Sequence, residues 1–385
     1  MIVHSARQLR DVCDRLREGE AFGLDTEFVR ERTYFIRLGI IQVAGPDLEA
    51  ILDPQSIEDL APFLELLSDP EVAKIVHAGE QDLLIFFERN GTVSRNVFDN
   101  QIAAALVGYG DQISYARLVE KIAGVRLSKL ETLTDWTARP LTPAQISYAL
   151  EDVRYLLPVR DHLARRLGEL GREVWAREEL RYLEDPASYS PPPPDEVYKR
   201  IKANHLDESQ LGVLREVAAW REREAMRRDL PRSWILKDQA LIEIARRKPG
   251  SRQGLRQIRS LKTRELERIE EELFSAVRRG VSNPVSAALE TTPSAKWMNK
   301  AEPLTRLLEA WVYARAAESE IAPSMLASRE ELRTLAAGHL SGEFPSLPVL
   351  NGWRRELVGQ ELLDILSGKT RIAVDSRTGD LTAGG

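Results

Sequence analysis

Two carboxylates set two residues apart open the chemistry of this sequence. They are Asp25 and Glu27, in the run Phe22-Gly23-Leu24-Asp25-Thr26-Glu27-Phe28. Residues 21–28 have the apolar and aromatic content of a buried strand, in which positions two apart face the same side. Both acids would then share one face. Burying such charges unpaired costs roughly several kcal/mol per ion. A hard divalent cation offsets that cost by binding carboxylate oxygens and water. So short a pattern also arises by chance, and two solvated edge residues around a Thr would read the same way.

Two further loci carry acids. Asp82 lies in His77-Ala78-Gly79-Glu80-Gln81-Asp82-Leu83, near the start of a helix expected over 79–89. Alone, an acid in a first helical turn offsets the helix dipole. His77 is read as a local hydrogen-bonding residue and stays outside the metal set. Thr142-Pro143-Ala144-Gln145 is a capping-box pattern that starts another helix. That helix presents Tyr148 and Asp152, at i and i+4, on one face. A plain surface hydrogen-bonded pair would use the same spacing.

The elements that must position these residues come from an expected mixed α/β domain over residues 1–190. Segments 21–28, 34–44 and 49–52 read as three strands in an antiparallel meander. A helix over 57–67, a strand over 72–77 and the 79–89 helix, stopped by Asn90-Gly91, follow. Asp99 is the expected N-cap of a helix over 101–107. A Pro-rich linker at about 184–198, with Pro191-Pro192-Pro193-Pro194, reads as a stiff extended spacer.

Beyond the linker the pattern is helical and repeats. A shift of 91 residues aligns Trp220 with Trp311, Ser233 with Ser324, Leu241 with Leu332 and Ala245 with Ala336. The matched positions are mostly apolar, so the repeat preserves a core rather than a site. Two related helical domains are expected, over 203–283 and 297–375, with a tail over 376–385.

Composition bounds the function classes. A chain of 385 residues holds two or three domains, and 43% hydrophobic with 30% charged residues is ordinary for a soluble protein. Its first residues are amphipathic, with no signal-peptide core, and no run reaches the length of a membrane span. The single cysteine, Cys13, excludes an intrachain disulfide framework and thiolate metal clusters, and a cytoplasmic location is the default. The net charge of −6 hides an asymmetry: residues 215–264 hold 15 Lys and Arg against 6 Asp and Glu. A basic block on an acidic chain is the footprint of nucleic-acid contact, although a solvated helix face carries such charge too.

Taken together, these segments resemble the ribonuclease D family, in the tyrosine branch of the DEDD superfamily of 3′→5′ exonucleases. Leu24-Asp25-Thr26-Glu27-Phe28 matches the first motif, His77 through Asp82 the second, and Tyr148-Ala149-Leu150-Glu151-Asp152 the third. Phe98-Asp99-Asn100-Gln101 is also similar, as is the stretch from Lys129 through Asp135-Trp136 to Ala138-Arg139-Pro140-Leu141. The chain departs at Leu127-Ser128-Lys129, where the family commonly has an acid before the Lys. The helical repeats resemble HRDC modules. Trp234-Ile235-Leu236-Lys237-Asp238 and Arg246-Arg247-Lys248 look like the nucleic-acid-binding form. The second copy is richer in acid (Glu318, Glu320, Glu330, Glu331), which suits a weaker RNA surface or a docking role.

The resemblance implies an α/β ribonuclease H-like exonuclease domain, a mixed sheet flanked by helices, followed by two all-α HRDC domains. Asp25, Glu27, Asp82 and Asp152 would hold two divalent cations, Mg²⁺ or Mn²⁺, astride a scissile phosphate. Tyr148 would orient the attacking water, a phenol pKa of about 10 being too high for a base at neutral pH. Expected RNA contacts are Phe28, Gln101, Lys129, Lys237, Arg246, Arg247 and Lys248. Phe28 is either a stacking platform or an ordinary core aromatic. The implied substrates are tRNA precursors and other small structured RNAs with single-stranded 3′ tails, cut to nucleoside 5′-monophosphates. The protein would act as a monomer, with no organic cofactor and no membrane. Two other readings stay open. One is action on DNA 3′ ends, since these acids and the Tyr do not read a 2′-OH. The other is a non-catalytic RNA-binding scaffold.

Overall fold

The computed structural model describes residues 1–127, 134–203, 205–261, 266–285, 295–343 and 346–384. The chain opens with β1 (Ile2–Val3) and α1 (Ala6–Glu18), where the Ser5 hydroxyl accepts from the Gln8 N–H and Leu9, Val12 and Leu16 turn inward. Then come β2 (Ala21–Val29), β3 (Arg37–Gly45), β4 (Leu48–Leu52), α2 (Ala61–Ser68), β5 (Ala73–Val76), α3 (Glu80–Asn90) and β6 (Val97–Asp99). The sheet order is β1-β4-β3-β2-β5-β6. β2, β3 and β4 form the expected antiparallel meander, and β5 and β6 extend it in parallel beyond β2. The 57–67 helix begins only at Ala61, with Pro62 in its first turn. The 34–44 strand begins only at Arg37, because Tyr34 and Phe35 are drawn away to the helical half of the chain.

Among the described residues the helices α4 (Asn100–Leu106), α5 (Tyr115–Ala123), α6 (Pro143–Arg154), α7 (Leu156–Glu169) and α8 (Glu173–Leu180) follow. Phe22 and Leu24 pack with Leu9, Phe63 and Phe86 beneath α1, α2 and α3. The opposite sheet face packs Ile40, Ile75, Ala149, Val153 and Leu156 under α6 and α7. On that face a Cβ at Gly23 would lie 3.0 Å from the Leu156 side chain. Alternation from Gly23 therefore puts Asp25 and Glu27 under α6 and α7.

The linker is not extended throughout. Asp185 caps a short α9 (Pro186–Tyr189), and Tyr189 is buried with its ring 5.7 Å from that of Phe87. Its hydroxyl donates to the Leu183 carbonyl at 2.5 Å. The linker thus begins packed on the α/β domain through Tyr189 and ends with Val197 in the core of the helical half.

The helical half has two units. The first holds α10 (Glu208–Arg228), α11 (Arg232–Ile235), α12 (Asp238–Arg247), α13 (Arg252–Arg256) and α14 (Leu266–Ser282) around a core of its own. The second holds α15 (Ala295–Lys300), α16 (Glu302–Glu318), α17 (Pro323–Leu326), α18 (Arg329–Ser341), α19 (Gly352–Arg354) and α20 (Gln360–Leu366). A shift of 91 residues lays α11 on α17 end to end. Both repeat tryptophans are buried: Trp220 Nε1 donates to Glu272 at 3.0 Å, and Trp311 Nε1 to Glu361 at 2.9 Å.

The second unit shares its core with the α/β domain. Trp311, Leu335 and Val349 share one core with Ala104, Leu163 and Leu167. Trp353 stacks on Trp175 with ring centroids 4.7 Å apart, and Arg354 pairs bidentately with Glu179 at 2.6 Å to each oxygen. A hairpin follows, β7 (Arg371–Val374) and β8 (Leu381–Gly384): β7 falls within the span expected to be helical, and only β8 in the expected tail.

Glu179 also accepts from Trp353 Nε1 at 3.0 Å, so Glu179→Ala strands two donors at this junction. We expect it to lower stability by about 2 kcal/mol. Denaturant unfolding measures this, and an unchanged midpoint would show that the pair carries no net weight.

Candidate active site

Strand β2 supplies Asp25 and Glu27. Opposite Glu27 and Phe28 the register slips by one residue, and the extra residue on β3 is Gly39. A Cβ at Gly39 would fall 2.7 Å from Trp136 Cβ and 2.9 Å from the Glu27 carbonyl, so the 136 loop closes on the site only over glycine.

Asp82 stands in the first turn of α3, and Asp99 sets that turn. Its carboxylate accepts from the Ala78 N–H at 3.0 Å and the Gly79 N–H at 2.9 Å, and it caps α4 through the Gln101 N–H at 2.7 Å. Tyr148 and Asp152 come from α6, where the capping box is formed: Thr142 N–H donates to Gln145 Oε1 at 2.9 Å and Gln145 N–H to Thr142 Oγ1 at 3.2 Å. Arg154, at the end of α6, clamps the helix to β4 through two 2.7 Å bonds to Glu49. All five residues line one cavity of about 290 Å³, whose wall includes Phe28, His77 and Tyr115.

The carboxylates press on one another. Burial is the largest cause for each, and it raises Asp25 well above the usual carboxylate range, with the charges of Asp82, Asp152 and Glu27 adding to it. Glu27 is pushed up to about 8 by burial, then by Asp152 and Asp82. Burial raises Asp82 and Asp152 to about 7, even though hydroxyls of Thr26 and Tyr148 donate to them and pull the other way. Tyr148 is itself raised, by burial and the nearby negative charges, and keeps its proton at neutral pH.

Among the described residues, no three Asp, Glu, His or Cys side chains are gathered tightly enough to close a metal shell as they stand. The four acids share a cavity rather than a point. Their chemistry is still that of a hard-cation site: carboxylate oxygens only, crowded negative charge, and a charged state that burial tolerates poorly without an opposing charge.

Other expected site residues are scattered. Phe28 is half-buried in the cavity wall. Gln101 stands outside it, donating through Nε2 to the Ile113 carbonyl at 3.2 Å, the oxygen that His77 Nε2 also meets at 2.9 Å. Lys129 lies outside the described residues. Lys237 stands just before the first residue of α12 with no side-chain capping bond, and the Arg246-Arg247-Lys248 run ends the helix, a length of about 15 Å away. There Arg247 pairs with Glu243 at 2.8 Å and Lys248 with Asp207 at 3.7 Å.

Two wall residues escape the sequence reading. Thr26, between the motif acids, holds Asp82. Tyr115 ties α5 to the junction of α6 and α7, its hydroxyl accepting from the Tyr155 N–H at 3.1 Å. Ser114 before and Gly124 after are cap residues that bracket the α5 helix in the sequence.

Residues 1–168 match the family described as 3′-5′ exonuclease, and residues 210–277 match the HRDC domain. A ribonuclease D from Gluconacetobacter diazotrophicus is 38% identical, the match covering 97% of this chain and 95% of that one. One from Granulibacter bethesdensis is 37% identical over 98% and 95% of the two chains. The crystal structure of Escherichia coli RNase D, described as an exoribonuclease involved in structured RNA processing, superposes with a TM-score of 0.84 at 31% identity, covering 96% of this chain and 98% of that one.

The repulsion has a signed consequence for the metal-free fold. Unfolded carboxyls titrate near about 4, while Glu27 titrates at about 8 in the fold. Between those values the folded chain holds more protons, so the cluster's contribution to stability falls as pH rises. In chelator, Asp25→Asn should melt higher than the parent near about pH 8, the gap closing toward about pH 5. Thermal melts across the range check this, and a gap that ignores pH would mean that repulsion is not its source.

Proposed function

The chain belongs to the ribonuclease D family and is a 3′→5′ exoribonuclease, and from that premise we propose that it trims single-stranded 3′ tails of structured RNAs, tRNA precursors foremost. It would release nucleoside 5′-monophosphates one at a time. The observation that carries this reading is the meeting of Asp25, Glu27, Asp82, Tyr148 and Asp152 in one cavity, from three separate elements. The exonuclease match spans all five residues, and the relatives are named as ribonucleases, which favours RNA over DNA.

Asp25, Glu27, Asp82 and Asp152 would hold two divalent cations, Mg²⁺ or Mn²⁺. When bound, such ions neutralise developing charge on the phosphate and lower the pKa of a water. The protein's own residues do the rest. Thr26 fixes the Asp82 carboxylate and Tyr148 the Asp152 carboxylate, so neither acid is free to swing. Tyr148 keeps its proton and so orients the attacking water without taking a proton from it. Phe28, in the wall beside Glu27, offers a ring face to the terminal base whatever its identity.

On this reading the second helical unit is a second HRDC module turned from RNA to docking. Its α16, α17 and α18 repeat α10, α11 and α12, and it shares its core with the α/β domain. Cys13 is buried and held as the thiol, its pKa raised by burial to about 12. Among the described residues no helix is long and apolar enough to cross a membrane. The reading keeps the protein in the cytoplasm as a monomer.

A tRNA bearing a 3′ tail, digested with and without Mg²⁺ and resolved by length, tests the proposal. The expected result is a metal-dependent ladder that shortens from the 3′ end and stalls near the acceptor stem. A matching DNA tail shortened as fast would move the assignment to DNA. Tyr148→Phe should keep RNA affinity while losing about a hundredfold in rate. Equal loss of binding and rate would remove the water-orienting role.

A further inference from the structure

Two further hollows continue outward from the carboxylate cavity, each sharing wall with the one before. Glu27 and Phe28, in the cavity of about 290 Å³, also open a hollow of about 610 Å³ along residues 27–37. Arg30 and Thr33 pass from there into a hollow of about 500 Å³, walled on its far side by the first helical unit. The three make one trough from the catalytic acids to α11.

Its charge changes along its length. In the middle, Arg30, Arg32 and Arg37 balance Glu27, Glu31 and Asp135, and the Asp135 carboxylate already accepts from the Thr137 N–H at 2.9 Å. At the far end Arg30, Arg200, Arg221, Arg232 and Lys237 outnumber Glu222 and Asp238. Both of those acids are paired, Glu222 with Arg232 at 2.5 Å and Asp238 with Arg221 at 2.6 Å. The side chains of Arg30, Arg32, Arg200 and Lys237 are exposed, with no hydrogen-bond or ion-pair partner among the described residues.

Aromatics interleave with these cations. Phe28 stands at the inner end. Phe35 is 43% exposed on the loop, and Trp234, between the wall residues Ser233 and Lys237, is 57% exposed. Large aromatics open to water beside unpaired cations are the surface that single-stranded nucleic acid uses, phosphates on the charges and bases on the rings. The loop itself is fixed to the far wall. Asp229 accepts from the Tyr34 and Phe35 N–H groups at 3.0 Å each, and the Tyr34 hydroxyl bonds Glu222 at 2.5 Å.

We propose that this trough holds the single-stranded RNA upstream of the cut, with Arg30, Arg32, Arg200 and Lys237 on its phosphates and Phe35 and Trp234 against its bases. The inference rests on the exoribonuclease reading and adds the direction in which the strand leaves the site. A duplex keeps its bases paired inward and offers nothing to Phe35 or Trp234, so the trough selects an unpaired tail.

The test is binding of a hairpin RNA with a single-stranded 3′ tail, in chelator, titrated against salt. Each phosphate of a single strand that no longer meets a cation flattens the log K against log salt slope by about 0.7. Arg30→Ala/Arg32→Ala/Arg200→Ala/Lys237→Ala should therefore flatten it by roughly 2 to 3 and weaken tail binding more than tenfold. Arg7→Ala/Arg10→Ala, which removes exposed charge from α1, should keep the parent slope. An unchanged slope in the fourfold variant, or an equal loss in the α1 variant, overturns the trough. Metal-dependent shortening of the tail alongside that unchanged slope would spare the catalytic reading. If the parent binds the tail with the expected slope yet never shortens it in Mg²⁺, the trough stands and the catalytic reading falls.

Discussion

Four acids confined in one small cavity, with no cation among the described residues set against them, are the constraint on which this structure turns. None of the groups acting most strongly on Asp25, Glu27, Asp82 or Asp152 is a Lys or Arg. Asp53, at the end of β4, shows the opposite fate. Burial pushes it upward as well, but Arg139 grips it with two bonds near 2.8–2.9 Å, and with backbone help holds it down at about 2. The chain therefore has arginines close to its sheet and spends them elsewhere: Arg139 on Asp53 and Arg154 on Glu49. Counter-charge for the catalytic four must come from outside, and substrate phosphate arrives with the same sign as the acids.

Holding mutually repelling groups in place takes a frame that does not give. Three separate elements deliver the acids: β2 is held between β3 and β5 in the sheet, and the two helices are fixed at their roots by capping rather than by the acids themselves. Asp99 serves two helices at once, the Thr142–Gln145 box starts the third, and Gly39 lets the 136 loop close in. The helical units differ in how they join this frame. The first keeps a core of its own and meets the α/β domain largely through charged and polar groups around Tyr34, while the second is welded in by shared apolar packing.

Much of this was legible in the sequence where the signal is local. The β2 run, the capping box, the Asp99 cap and the 91-residue repeat depend on residues near one another or on periodicity, and the structure realises each. What escaped was non-local. Tyr34 read as the start of a strand because nothing beside it announces that Asp229 and Glu222, nearly two hundred residues on, claim it. The Pro-rich linker read as a stiff extended spacer because the burial of Tyr189 is decided by Phe87. Gln101 looked available for RNA, but its amide is taken by a carbonyl twelve residues away.

The shared core has a consequence for how the protein is made. Val107, Leu163, Leu167 and Ala176 all leave the ribosome before α15, yet the residues that cover them run from Met298 to Ile365. The α/β domain therefore emerges first, carrying an apolar face that waits for the last part of the chain. Until residues 298–365 have followed, that face is open to other nascent chains and to chaperones. A polypeptide cut short after α14 would contain every catalytic acid and leave this apolar face uncovered.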